Sequence, residues 1–101
     1  MAKVETKLKD KLSDVPAKPG VYKFLDKNDG VLYVGKAKNL RSRLSQYFNG
    51  HDTRPQLPYL MADAVDFDYI IVQTELESLF LENTLIKEYM PQYNIRLRDD
   101  K

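Results

Sequence analysis

The chain has no cysteine, and a single histidine, His51, among its 101 residues. Without cysteine there is neither a disulfide framework nor a thiolate metal site, a usage compatible with a reducing cytoplasm. One histidine cannot make a His-rich zinc site, and this one falls in the patternless stretch "NGHDTRPQLP", away from any Ser-His-Asp set. The four glycines form no phosphate-cradling loop. No run approaches the roughly 20 apolar residues of a membrane span, and "MAKVETKLKDKLSDVP" lacks the apolar stretch of a signal peptide. There is no internal repeat and no low-complexity tract.

What is present fits one globular domain over residues 1–101, with an N-terminal helix within 1–15 and a core over 18–98. The composition is 43% hydrophobic and 31% charged. The net charge is only +1, but it is segregated. Residues 18–48 carry seven basic against two acidic side chains, and residues 60–90 carry seven acidic against one basic. A basic segment suits a polyanion, and a carboxylate brought beside it suits a cation. Lys36, Lys38, Arg41 and Arg43 are the candidate phosphate contacts. The polar ending "RLRDDK" leads to the expectation of a longer, multidomain protein.

The pattern predicts a polar helix at 3–14, strands at 20–26 and 31–35, a helix at 40–48 capped by Asn39, a short helix at 58–64 and a strand at 67–73. A last helix runs from a capping box at Thr74–Glu77 to about Met90, where Pro91 stops it. The fold class is therefore α+β, a small three-stranded, mainly antiparallel sheet flanked by helices. Asp29-Gly30 predicts a type I′ hairpin turn, with residue 26 opposite 33 and 24 opposite 35. Tyr22, Phe24 and Tyr33 then share one face of the sheet. The expected core stripe of the last helix is Leu76, Leu79, Phe80, Leu85 or Ile86, and Tyr89.

Two tyrosines on neighbouring strands, followed by a basic helix, exceed what a core requires. A phenol ionises near pH 10, so a tyrosine base needs cationic help. Lys36, three residues after Tyr33, can supply it if the strand breaks after Gly35. Arg43 lies at the apolar edge of its helix, where a guanidinium fork needs an anion such as a phosphate. Among the glutamates of the last helix, Glu82 has the most apolar neighbours, Leu79, Leu85 and Ile86. A half-buried carboxylate is paired or coordinates something. Pairing with Arg43 or Lys87 and binding of a hard divalent cation both stand open.

Gly20-Val21-Tyr22 and Tyr33-Val34-Gly35 resemble the paired motif that names the GIY-YIG nucleases, with valine for isoleucine in both halves. "KAKNLRSRLSQYF" and "LENTLIKEYMPQYNIRLRDDK" further resemble the N-terminal endonuclease domain of bacterial UvrC subunits, over residues 19–100. The resemblance implies the GIY-YIG fold and metal-dependent hydrolysis of a DNA phosphodiester on the 3′ side of a lesion in nucleotide excision repair. It implies one Mg²⁺ or Mn²⁺ ion on Glu82, and Tyr22, Tyr33, Lys36, Arg43, Tyr47 and Asn94 as the remaining site residues. Tyr33 would be the general base, Arg43 the group that neutralises phosphoryl charge, and Asn94 a buttress. The implied partners are DNA and UvrB, with UvrA upstream, reached through regions outside this chain; the implied location is the bacterial cytoplasm. Two other readings are a nucleic-acid-binding module without catalysis and a protein-interaction domain.

Overall fold

Three antiparallel strands in the order β2-β1-β3 form a sheet with helices packed against it. β1 is Gly20–Leu25, β2 Val31–Ala37 and β3 Asp66–Ile71. The helices are α1, helical over 8–12, then α2, Leu40–Phe48, α3, Leu57–Asp63, and α4, Glu75–Tyr89. This computed structural model describes residues 8–49, 54–55 and 57–94. The expected helix over 3–7, half of the expected loop at 49–58 and the end of the expected core at 95–98 lie outside the described residues. Among the described residues, no helix is long and apolar enough to cross a membrane.

The β1–β2 hairpin departs from its expected geometry in an instructive way. Within the turn only Asp29 has a φ in the left-handed region, 64°. The Asp29 amide donates to the Asp26 carbonyl at 3.0 Å, and the Asp26 carboxylate accepts from the Asn28 and Gly30 amides at 2.8 Å each. This is a turn organised by an Asp side chain, with a left-handed residue at its end and a bulge between Phe24 and Leu25, rather than a two-residue type I′ turn. Phe24 consequently pairs with Tyr33, and Tyr22 with Gly35. The shift from the expected pairing is two residues. Because strand faces alternate with period two, Tyr22, Phe24 and Tyr33 still share a face. β2 also continues to Ala37 instead of breaking after Gly35.

That shared face is the core side. Phe24 is fully buried, with ring-to-ring distances of 5.9 Å to Tyr22, 5.0 Å to Tyr47 and 6.4 Å to Phe67. α2 adds Leu40, Leu44 and Tyr47, α3 adds Leu57 and Leu60, and α1 adds Leu8. Each such side chain contributes about 1.5–3 kcal/mol by leaving water. Gly20 permits the close approach of α2, since a Cβ there would overlap both Leu40 and the Ile70 carbonyl. The Asn39 side chain caps α2 by accepting from the Ser42 amide at 3.0 Å.

α4 covers the opposite face, and here the expected stripe holds only at Leu85 and Ile86. Leu76, Leu79, Phe80 and Tyr89 are exposed. Ser78 is buried, and Leu81, Glu82, Leu85 and Ile86 are half-buried, so this side of the helix meets the sheet. Apolar residues surround α4, and periodicity alone cannot choose between its sides. The Thr74–Glu77 capping box forms as expected, and Met90, at φ 45°, closes the helix before buried Pro91 turns the chain back toward β2.

Candidate active site

The hairpin pairing places the two glycine–tyrosine motifs directly against each other. The Tyr22 ring crosses over Gly35, where any Cβ would collide with it. Tyr33 lies beside Tyr22 at 6.3 Å between ring centroids, and Tyr47 reaches in from α2 at 5.7 Å. The Tyr22 and Tyr47 hydroxyls are 2.7 Å apart and hydrogen-bonded. Three of the expected site residues therefore form one buried cluster.

Burial raises the Tyr22 phenol well above its ordinary range, and the charge Tyr47 would carry raises it further. Burial likewise pushes Tyr47 up to about 12. Both phenols stay protonated in neutral solution, which fits them to donate hydrogen bonds rather than to accept a proton.

Arg43 stands at the edge of this cluster, half-buried. Its Nε donates to the Tyr22 hydroxyl at 3.4 Å and its Nη1 to Gln46 Oε1 at 3.0 Å, and its guanidinium carbon is 5.2 Å from the centre of the Tyr47 ring. Arg41, expected as a phosphate contact, turns the other way. Its Nε donates to the Val15 carbonyl at 2.7 Å and its Nη2 to that of Ser13 at 3.3 Å, tying the segment before β1 to α2. Lys38 stands at the surface, 3.7 Å from Glu75.

Lys36 is exposed. Because β2 runs on through Ala37, strand alternation puts Lys36 on the face opposite Tyr33. Its ammonium and its backbone amide both act on Glu82. Burial raises the Glu82 carboxyl above the ordinary carboxylate range, and the Lys36 charge and amide hydrogen bond partly counter this. The ion pairs of the described residues, Lys11 with Asp66 and Asp68 and Lys38 with Glu75, do not include Glu82. Pairing with Arg43 or Lys87, one of the two readings left open by the sequence, is not what occupies this carboxylate.

Between the two faces, at the end of β2, an open groove is lined by Lys36, Lys38, Asn39, Arg43, Glu75 and Ser78. Ser78 is one helical turn from Glu82. A half-buried carboxylate outside these ion pairs is a suitable oxygen donor for a hard cation. Among the described residues, no cluster of three or more acidic, histidine or cysteine side chains exists. A cation held here would have one protein ligand, with water and phosphate oxygens completing its shell.

Asn94 occupies a different kind of position. Its side chain is buried, accepts from the Val34 amide at 2.7 Å and donates to the Val34 carbonyl at 2.8 Å. β2 is an edge strand, so these backbone groups have no strand partner on that side. Asn94 supplies one, and holds the residue between Tyr33 and Gly35 in place. The sequence reading omitted Arg54, which donates to the Tyr47 hydroxyl at 3.3 Å. It lies in a stretch without periodicity, where no pattern ties a residue to the sheet.

The family model for the UvrC-like GIY-YIG domain matches residues 18–95. UvrABC system protein C of Caldicellulosiruptor saccharolyticus is 51% identical over 94 residues, which is 93% of this chain and 16% of that protein. The protein of the same name from Chlamydia trachomatis serovar D is 53% identical over 91 residues, 89% of this chain and 15% of its own length. The chain thus spans about one-sixth of the length of these curated relatives. Among solved structures, the GIY-YIG N-terminal endonuclease domain of UvrC from Thermotoga maritima, bound to magnesium as its catalytic divalent cation, superposes with a TM-score of 0.78. It is 38% identical, with 87% of this chain and 96% of that one covered. An Asn→Ala point mutant of the same domain, also bound to its catalytic divalent cation, gives 0.77 at 37% identity, covering 86% and 93%.

Proposed function

The chain belongs to the family of UvrC-like GIY-YIG domains, and on that premise we propose that it is a divalent-metal-dependent endodeoxyribonuclease domain. Its reaction is hydrolysis of a DNA phosphodiester on the 3′ side of a lesion during excision repair. The observation that carries this reading is the joining of two unlike halves at one groove. Arg43, which donates to the Tyr22 hydroxyl of the phenol cluster, and Lys36, whose charge and amide act on the half-buried Glu82 carboxylate, both line it.

Hydrolysis needs a proton acceptor for the attacking water. Burial keeps Tyr22 and Tyr47 protonated, which leaves Tyr33 as the phenol for that role. Tyr22 and Tyr47 orient the phosphate or the water through their hydroxyls. Arg43 offsets the negative charge that grows on the phosphoryl oxygens. Lys36 and Lys38 steer the DNA backbone to the groove, and Lys36 also holds the Glu82 carboxylate. Asn94 keeps the Tyr33–Gly35 segment in register. Glu82 is the group that would hold a single Mg²⁺ or Mn²⁺, which supplies Lewis-acid polarisation of the phosphate and stabilises the leaving oxygen.

The names of the relatives support a place in the UvrABC system, with DNA as substrate and UvrB and UvrA as partners in the bacterial cytoplasm. Their greater length supports one nuclease domain within a multidomain protein.

The test is nicking of a supercoiled plasmid, with protein in excess, in buffer containing Mg²⁺, Mn²⁺ or EDTA. Nicking in either metal and none in EDTA is expected. Salt-sensitive DNA binding without nicking in any metal would instead make the domain a non-catalytic binding module.

A further inference from the structure

Arg54 lies three residues before the start of α3, its carbonyl accepting from the Leu57 amide at 3.1 Å. Its guanidinium nevertheless reaches two of the three clustered tyrosines. Nη2 donates to the Tyr47 hydroxyl at 3.3 Å, and the guanidinium carbon stands 5.9 Å from the centre of the Tyr33 ring. On the far side, Arg43 Nε donates to the Tyr22 hydroxyl. The two phenols join at 2.7 Å. The result is a continuous chain, Arg54–Tyr47–Tyr22–Arg43, with a guanidinium at each end.

The protons of that chain can be counted. A guanidinium only donates, whereas a phenol has one proton to give and two lone pairs to receive. The bond between the phenols uses one of their two protons. Both ends of the chain are donors, so neither end can take the other. Whichever phenol accepts from its partner already accepts from its arginine as well, and its own proton is left over. No further hydrogen bond of either hydroxyl is present among the described residues. An acceptor in place of Arg54 would draw that proton inward and close the pair upon itself. With a donor there, the pair keeps one O–H for an oxygen that arrives from outside, and a phosphodiester oxygen is such an acceptor.

We propose that Arg54 is a positioning residue of the nuclease site. It holds the Tyr47 hydroxyl as an acceptor so that the Tyr22–Tyr47 pair retains one proton for the scissile phosphate, and it fixes the face of Tyr33. The proposal rests on the nuclease reading above. It assigns a function to the one described side chain that joins the segment between α2 and α3 to the tyrosine cluster by a hydrogen bond.

The experiment compares Arg54→Met, which keeps bulk and loses every donor, with Arg54→Lys, which keeps a charged donor. Single-turnover plasmid nicking is followed in Mg²⁺ and Mn²⁺ as protein concentration is raised to saturation. Arg54→Met should lower the saturated rate at least about tenfold, with the half-saturating concentration changed less than about threefold. Arg54→Lys should recover most of the rate. Both variants should melt within about 2 °C of the wild type, since the change is at a half-exposed residue outside the regular elements. In ¹³C spectra, the Tyr47 Cζ resonance should move in Arg54→Met and move less in Arg54→Lys. An Arg54→Met protein that nicks at the wild-type saturated rate overturns the proposal. So does a defect confined to half-saturation, which would make Arg54 a plain DNA contact. A lowered melting point with no rescue by lysine would make it structural and overturns the proposal too. A wild-type chain that nicks in neither metal overturns the nuclease reading itself, and is told apart because the wild type fails alongside the variants.

Discussion

Replacing Asn94 by alanine removes two hydrogen bonds from an otherwise unpaired part of β2. The groups left behind are the amide and carbonyl of Val34, a residue with no exposed surface. If water reached both, the loss would be about 1 kcal/mol for each bond; a buried group left without a partner costs about 1–3 kcal/mol. Water reaches an edge strand more easily than a core, so the total lies at about 2–4 kcal/mol. In a domain of this length the whole stability is on the order of 5–15 kcal/mol, and such a loss lowers the melting point by roughly 10–25 °C. Urea unfolding followed by circular dichroism measures it, with an unchanged m-value showing that the denatured state is the same. Hydrogen exchange gives the local version, and the Val34 amide should lose protection before its neighbours in β1. Asn94→Asp offers the acceptor but sets a carboxylate oxygen against the Val34 carbonyl, so it should be no better than alanine at neutral pH. An Asn94→Ala protein within about 0.5 kcal/mol of the wild type, with Val34 still protected, would refute the reasoning, because both bonds would then have been replaced without cost.

Tyr33→Phe should stop metal-dependent nicking at every pH while leaving the melting curve nearly unchanged, because the ring and its packing remain; nicking near the wild-type rate would remove Tyr33 as the base. Glu82 is raised by burial, so its protonated form is favoured by folding. The stability it contributes is present below its unfolded pKa and is lost as pH rises through the raised folded one. Glu82→Gln should therefore melt no lower than the metal-free wild type at neutral pH, yet gain nothing from Mn²⁺ and fail to nick; a much lower melting point would restore the ion-pair reading. Gly35→Ala should lose both stability and nicking through collision with the Tyr22 ring; a protein as stable as the wild type would show that the ring can move aside. DNA binding without metal should be sequence-independent and weaken steeply as salt rises, through counterion release; tight, salt-insensitive binding to one sequence would contradict it.

The shared face of the tyrosines was more legible in the sequence than the packing of α4 was. The tyrosine face survived an error in the hairpin because the turn displaced the register by an even number of residues, and alternation is blind to such a shift. The capping box of α4 was legible because its signal is local, four residues and two reciprocal bonds. The buried side of α4 was not, because Leu76 and Phe80 are as apolar as Leu81 and Leu85, and only the sheet chooses between them. Lys36 was expected to turn toward Tyr33 on the assumption that β2 ends at Gly35. Two further paired residues, Lys36 opposite Val21 and Ala37 opposite Gly20, send it to Glu82 instead. Arg41 looked like a free surface cation because the Val15 and Ser13 carbonyls that bind it are 26 and 28 residues away in the chain.

The tyrosine cluster also makes the site an optical reporter. The chain has seven tyrosines and no tryptophan, so its absorbance beyond the phenylalanine bands, and its emission, come from phenols. Tyr22, Tyr33 and Tyr47 stand within electronic reach of one another. Tyr22 and Tyr47 are tied by hydrogen bonds to each other and to two guanidiniums. A cation or a phosphate arriving at the groove would disturb close to half of the chromophores at once. Near-ultraviolet circular dichroism of the unlabelled domain should therefore change with ligand far more than its far-ultraviolet spectrum does.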